Sequence, residues 1–177
     1  VVGYPSLEDN WKMLEAMQEA DIDIVELQMP FSEPMADGPL FVKANQKAIE
    51  RGITLDQYFD FMQKATKTFS FPILMMGYYN TIFRTGHKQF IDRLKASGGC
   101  GVIVPDLPIE EYGDLFEICE KEEISPVMFF TPKSTDARLI ECAKKASGFV
   151  YCVARKGVTG GQTIVAKELD LLIDRYR

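Results

Sequence analysis

The sequence predicts an α/β fold built from repeated strand–helix units, and three observations carry that reading. Short apolar runs bounded by Gly, Pro or Ser alternate with amphipathic stretches along the chain. The runs are apolar on both faces, as parallel strands covered by helices are. The later runs recur every ~25–30 residues, the size of one βα unit.

Taken in order, Val1-Val2-Gly3-Tyr4-Pro5 reads as the end of a strand. A helix over residues 7–20 follows, with Ser6 and Asp9 as a variant capping box and Trp11, Leu14 and Met17 at helical spacing. Residues 24–29 read as a strand. The long gap from Met29 to Pro72 holds two helical segments, the second opened by a Thr54/Gln57 capping box ahead of Tyr58, Phe61, Met62 and Ala65. Residues 72–77 form the next strand. His87, after Thr85-Gly86, opens a helix marked by Phe90, Ile91 and Leu94 and ended near Gly98. The strand at 101–105 precedes a helix bearing Tyr112, Leu115, Phe116 and Cys119. The strand at 126–131 precedes one capped by Ser134 or Asp136 and carrying Leu139, Ile140 and Ala143. The strand at 149–154 precedes a last helix from about Ala166, with Leu169, Leu172, Ile173 and Tyr176. The count is six βα units in one domain over residues 1–177, with no linker.

Such repeats suit either an open doubly wound sheet or a (β/α)₈ barrel. The Gly-rich dinucleotide motif is absent after the first strand, where Gly3-Tyr4-Pro5-Ser6 stands. Polar residues gather just past strand ends, at Asn80, Asp106, Thr131 and 155–159, where barrel enzymes place their sites. A closed barrel needs eight strands, and six are legible.

Composition narrows the function. The chain has 177 residues, 46% of them hydrophobic and 26% charged, enough for a sizeable core. Its net charge is −6 and it has no Lys/Arg block, so neither nucleic acid nor an anionic membrane is expected as a partner. No apolar run approaches the ~18 residues of a membrane span, and no signal-peptide pattern opens the chain. Cys100, Cys119, Cys142 and Cys152 form no Cys-x-x-Cys pair and read as small core residues. With one histidine, His87, a zinc site is not expected. The chemistry must rest on carboxylates, tyrosines and backbone groups.

Residues 23–39 stand out. Glu26 interrupts an otherwise apolar strand, and burying an unpaired carboxylate is costly. Its apolar flanks, Ile24, Val25, Leu27 and Met29, should raise its pKa and suit it to acid/base work. Asp37, before Gly38-Pro39, reads equally as a second site carboxylate or as the cap of the following helix. Glu33, in the same loop, reads as solvated or as an interface residue. Gly157-Val158-Thr159-Gly160-Gly161 allows close backbone approach to a ligand or a mobile lid. Tyr151 reads as a core or a site residue, and Arg155 and Lys156 as surface charge.

The run Glu26-Leu27-Gln28-Met29-Pro30-Phe31-Ser32-Glu33-Pro34-Met35-Ala36-Asp37-Gly38-Pro39 resembles the signature of the tryptophan synthase alpha subunit. The likeness extends through 76–80 with Phe83, 102–108 (Val-Ile-Val-Pro-Asp-Leu-Pro), 132–136 and 148–160, in order and spacing. It implies a (β/α)₈ TIM barrel, of which this chain covers roughly strands 1 to 6, lacks the last βα units and is incomplete at both ends. It also implies a cytoplasmic lyase of tryptophan biosynthesis that cleaves indole-3-glycerol phosphate by a retro-aldol reaction. No cofactor is implied. The implied partner is a beta subunit, in an alpha2-beta2 complex met by residues 31–38 and those near Asn80 and Asp106.

By the same resemblance, Glu26 falls on the catalytic glutamate, Asp37 on the catalytic aspartate and Tyr151 on an active-site tyrosine. Met76, Tyr78, Ile103 and Phe129 are expected to hold the indole ring. Thr159 and Gly160 fall on a flexible loop, with Gly160 near the substrate phosphate. Gln28 and Met29 replace a usual Gly and a smaller aliphatic residue, and Glu33 a usual Asp. The alternatives are a stand-alone lyase that releases free indole, a non-catalytic fragment or a subunit that only activates a partner, and a generic phosphate-binding barrel enzyme.

Overall fold

The computed structural model describes residues 1–153 and 168–176. The elements run α1 (Leu7–Glu19), β1 (Val25–Gln28), α2 (Pro39–Glu50), α3 (Leu55–Thr68), β2 (Ile73–Met76), α4 (Tyr79–Thr85), α5 (His87–Ala96) and β3 (Gly101–Ile103). A 3₁₀ turn (Ile109–Glu111) then leads to α6 (Asp114–Lys121), β4 (Ser125–Pro126), β5 (Met128–Phe130), α7 (Asp136–Lys145), β6 (Val150–Cys152) and α8 (Glu168–Tyr176).

All strand pairs are parallel, and their order follows the chain: β1-β2-β3-β4, then β5-β6. A doubly wound sheet reverses its strand order at a switch point; this sheet does not, and its arrangement is that of a (β/α) barrel. The predicted strand at 126–131 is shared between two neighbours. Ser125 and Pro126 pair with β3, and Val127 N–H still donates to the Val102 carbonyl at 2.9 Å. Met128–Phe130 then pair with β6.

Strand alternation creates two cores. Val25, Leu27, Ile73, Met75, Val102, Val104, Met128 and Phe130 join the large cluster with the helices. Leu74, Ile103 and Val127, with Met76 and Phe129 against them, form a second cluster on the opposite face, the barrel interior. Gly101 belongs to that face. A Cβ there would collide with the Leu74 side chain and come within 2.8 Å of the Ser125 carbonyl oxygen.

Several local expectations are corrected. Residues 1–5 form no strand; Val2 donates one hydrogen bond to the Gln28 carbonyl at 3.0 Å, flanking β1. Helix α4 was not legible, because its seven residues are short and its N-cap residue, Tyr78, supplies no side-chain cap. Asp106 does so from a distant loop, accepting the Tyr79 N–H at 2.9 Å. Helix α7 is capped by Thr135, not Ser134 or Asp136. Ser134 is engaged with Thr131, and Asp136 pairs with Arg175 of α8. Tyr112 lies just ahead of α6 rather than within it. Cys119 and Cys142 are buried as expected, but Cys100 is half-buried and Cys152 is exposed, on a strand with one strand neighbour among the described residues. The capping boxes behave as read: Ser6 accepts the Asp9 N–H, and Thr54 and Gln57 cap each other reciprocally.

Candidate active site

One cavity of about 890 Å³ opens at the C-terminal ends of the strands. Strand alternation supplies its inner wall. With Val25 and Leu27 packed outward, Glu26 and Gln28 must point in, as must Met76 on β2, Ile103 on β3, Phe129 on β5 and Tyr151 on β6; all six line the cavity. Asp37 reaches the same space from the loop after β1. The structure thus brings Glu26, Asp37, Tyr151, Met76, Ile103 and Phe129 together.

Glu26 is not buried, contrary to the reading of it as a strand-core carboxylate. Inward here means toward an open cavity, and its side chain reaches water. Partial desolvation by the walls nonetheless pushes its carboxyl above the ordinary value. Tyr151 stands opposite Phe129 in register, with ring centroids 5.3 Å apart. Burial raises the Tyr151 phenol, and the Glu26 charge raises it further, so the two groups share one field.

Asp37 does not cap α2. The N-cap position belongs to Gly38, with Pro39 opening the helix. The carboxylate turns back toward β1 instead, where its Oδ2 accepts from Gln28 Nε2 at 2.6 Å and from Asn45 Nδ2 at 3.4 Å. Asn45 is fully buried on α2, and its Oδ1 also accepts the Phe31 N–H at 2.9 Å.

Tyr78, the remaining residue expected at the indole ring, stands behind the cavity wall, with its hydroxyl hydrogen-bonded to the Asp37 carboxylate. It is 1% exposed and does not line the cavity. Its hydroxyl accepts the Ala36 N–H at 3.1 Å, and its ring stacks on Phe31 at 5.0 Å. Burial, and next the neighbouring Asp37 charge, hold its proton on strongly. Tyr78 therefore clamps the loop that carries Asp37. Thr159 and Gly160, with Arg155 and Lys156, lie outside the described residues.

Sequence reasoning missed Gln28 and Asn45 as site residues. Gln28 was within reach, since it stands two positions from Glu26 on the same strand face. Asn45 gave a fainter signal, an amide among the buried Ala44 and Ala48 of α2. Two large apolar side chains, near Asp37 and Tyr78 in sequence, are left exposed: Met35, which lines the cavity, is 74% exposed, and Phe83, packed against Tyr79 of α4, is 65% exposed. Glu33 is exposed. Among the described residues no cluster of His, Cys, Asp and Glu could hold a metal ion, and no helix is long and apolar enough to cross a membrane.

A carboxyl of raised pKa, a second carboxylate held by two neutral donors and a phenol, around an apolar slot, suit proton transfer on a flat aromatic substrate. Comparison with known proteins agrees. The family model described as tryptophan synthase alpha chain matches residues 1–177. The tryptophan synthase alpha chain of Syntrophotalea carbinolica is 45% identical over 177 residues, which is all of this chain and 70% of that one. Among solved structures, the tryptophan synthase a2b2 complex of Pyrococcus furiosus contains a chain that superposes with a TM-score of 0.89 at 33% identity, covering 99% of this chain and 70% of that one. Tryptophan synthase of Mycobacterium tuberculosis gives 0.88 at 29% identity, covering 99% and 68%. The chain belongs to the tryptophan synthase alpha chain family.

Proposed function

We propose that this chain, a single (β/α) barrel domain, cleaves indole-3-glycerol phosphate to indole and glyceraldehyde 3-phosphate, in the cytoplasm and in complex with a beta subunit. The observation that carries the residue roles is the convergence of Glu26, Asp37 and Tyr151 on one cavity walled by Met76, Ile103 and Phe129.

The bond to be broken joins C3 of the indole to the hydroxyl-bearing carbon of the glycerol chain. Protonating C3 turns that carbon tetrahedral and leaves the ring cationic at its nitrogen. Removing the proton from the adjacent glycerol hydroxyl then forms the aldehyde, and the electrons of the broken bond return to the ring. One proton enters at C3 and one leaves the hydroxyl, so a single carboxyl able to exist in both forms near neutrality can serve both steps. Glu26 is the carboxyl best suited to that role, because its surroundings raise its pKa above the ordinary value while leaving it accessible. Asp37 accepts the indole N–H and stabilises the positive charge as it develops there. Tyr151, coupled electrostatically to Glu26, lies beside the transferring proton. Met76, Ile103 and Phe129 take the faces of the ring.

The exposed Met35 and Phe83, beside a loop tied to the site through Tyr78, suit this face to the beta subunit. Docking there bears on the same backbone that presents Asp37, which is a route for coupling partner binding to turnover. The test is indole release from indole-3-glycerol phosphate, with and without beta subunit, by the wild type and by Glu26→Gln. Release that is stimulated by the partner and lost in the variant supports the reading; equal release by both proteins refutes it.

A further inference from the structure

We propose that Gln28 and Asn45 are positioning residues for the cleavage reaction, their side-chain amides holding the Asp37 carboxylate by one oxygen so that the other is presented to the substrate N–H. The proposal rests on the reading of Asp37 as the N–H acceptor and extends it to the groups that aim it.

The hydrogen-bond inventory fixes the orientation of both amides. An ionised carboxylate only accepts, so the Gln28 atom 2.6 Å from Asp37 Oδ2 must be the nitrogen. Asn45 has one acceptor face and two N–H donors. Its Oδ1 is committed to the Phe31 N–H at 2.9 Å, and its Nδ2 to the Phe41 carbonyl at 2.8 Å. The second N–H is thereby left to point at Asp37 Oδ2, at 3.4 Å. Both amide donors thus converge on Oδ2, and the Tyr78 hydroxyl, hydrogen-bonded to the same carboxylate, adds a third neutral donor.

The two anchors belong to the rigid part of the barrel. Gln28 is 7% exposed and lies in the β1–β2 ladder opposite Met76, with its carbonyl held by Val2. Asn45 is 0% exposed in the middle of α2. Asp37 itself sits in a loop, where a free carboxylate would sample several rotamers. Strand and helix together reduce that freedom, and a misplacement of about 1 Å in such a group is worth roughly 10²-fold in rate. The donors are also neutral. A Lys or Arg in their place would pair with Asp37 and compete with the developing ring cation; amides orient the anion and leave its charge available.

The test uses the full-length protein bound to its beta subunit and two probes: a non-cleavable 3-alkylindole phosphate, and its benzothiophene counterpart, in which sulfur replaces the N–H. The wild type should favour the indole probe by about tenfold or more, the worth of a hydrogen bond to a charged group. Gln28→Met keeps the side-chain length and removes the donor; Asn45→Leu keeps the side-chain shape and removes the donor without adding a charge beside Asp37. Each should bring the preference to within about threefold of parity, with benzothiophene affinity within about twofold of wild type and kcat reduced. A preference kept in both variants, or affinity for both probes lowered in equal proportion, overturns the proposal. Asp37→Ala separates the two layers. If it also keeps the preference, Asp37 is not the N–H acceptor and the reading beneath the proposal fails. If it loses the preference while the amide variants keep it, only the positioning role fails.

Discussion

Replacing Glu26 with Gln should slow the reaction and stabilise the fold at once, and the two effects separate cleanly. The amide keeps the shape of the side chain but cannot exchange a proton. General acid–base groups contribute typically 10²–10⁴-fold, so kcat should fall by about that factor, ~3–5 kcal/mol in the barrier. Stability should move the other way. Desolvation raises the Glu26 carboxyl above its ordinary value of 4.5, so the folded protein disfavours its charged form relative to the unfolded chain. Between the unfolded and the folded pKa the native state holds more protons, and stability therefore falls as pH rises through that window. The penalty is complete above the folded pKa and absent below about 4.5. Glu26→Gln removes it, so the gain should be present at pH 8 and vanish at pH 4. It should be small, because the carboxylate reaches water through the open cavity. Urea unfolding midpoints at the two pH values, with turnover measured on the same samples, check both halves. A variant that is less stable than wild type at pH 8, or whose gain persists undiminished at pH 4, would refute the desolvation argument; one with unimpaired turnover would refute the catalytic role.

Other substitutions probe the frame around the site. Gly101→Ala should cost about 1–3 kcal/mol in chemical denaturation, since its Cβ meets the Ser125 carbonyl oxygen at 2.8 Å and backbone cannot swing aside as a side chain can. Thr54→Ala removes one half of a reciprocal cap and should cost about 1 kcal/mol, read as a lower urea midpoint with an unchanged m-value. Tyr58→Phe deletes a buried hydroxyl that donates to the Leu27 carbonyl at 2.8 Å and should cost about 1 kcal/mol, with little effect on KM. Tyr151→Phe keeps the ring against Phe129, so stability should stay within about 0.5 kcal/mol while kcat falls.

Much of the architecture was legible because its causes are local. The Thr54/Gln57 box and the Ser6 cap announce their helices through groups three residues apart, and the apolar runs announce their strands through alternation and burial. Where a cause is remote, the chain is silent. Helix α4 starts because Asp106 comes round from another loop to meet the Tyr79 N–H, and nothing near Tyr78 records that. Asp37 before Gly-Pro has the local look of a helix cap; only the fold shows that Gln28 and Asn45 draw it away. Tyr78 could be placed near the site from its position after β2, but not the hydrogen bond by which its hydroxyl clamps the loop.

The sequence by itself determined the βα repeat, the inward pair of positions on β1 and the chemical types available for catalysis, since these follow from side-chain periodicity and composition. The choice of barrel over doubly wound sheet, by physical reading alone, belonged to the tertiary structure, because strand order depends on which edges pair across gaps that periodicity does not see. So did the state of the carboxylates. Glu26 owes its raised pKa and its access to water to a cavity formed by four other strands, and Asp37 owes its aim to two amides, nine residues before it and eight after. Electrostatic environment is a property of what folding brings near, and that is set only when the sheet curls its inner face around a common space.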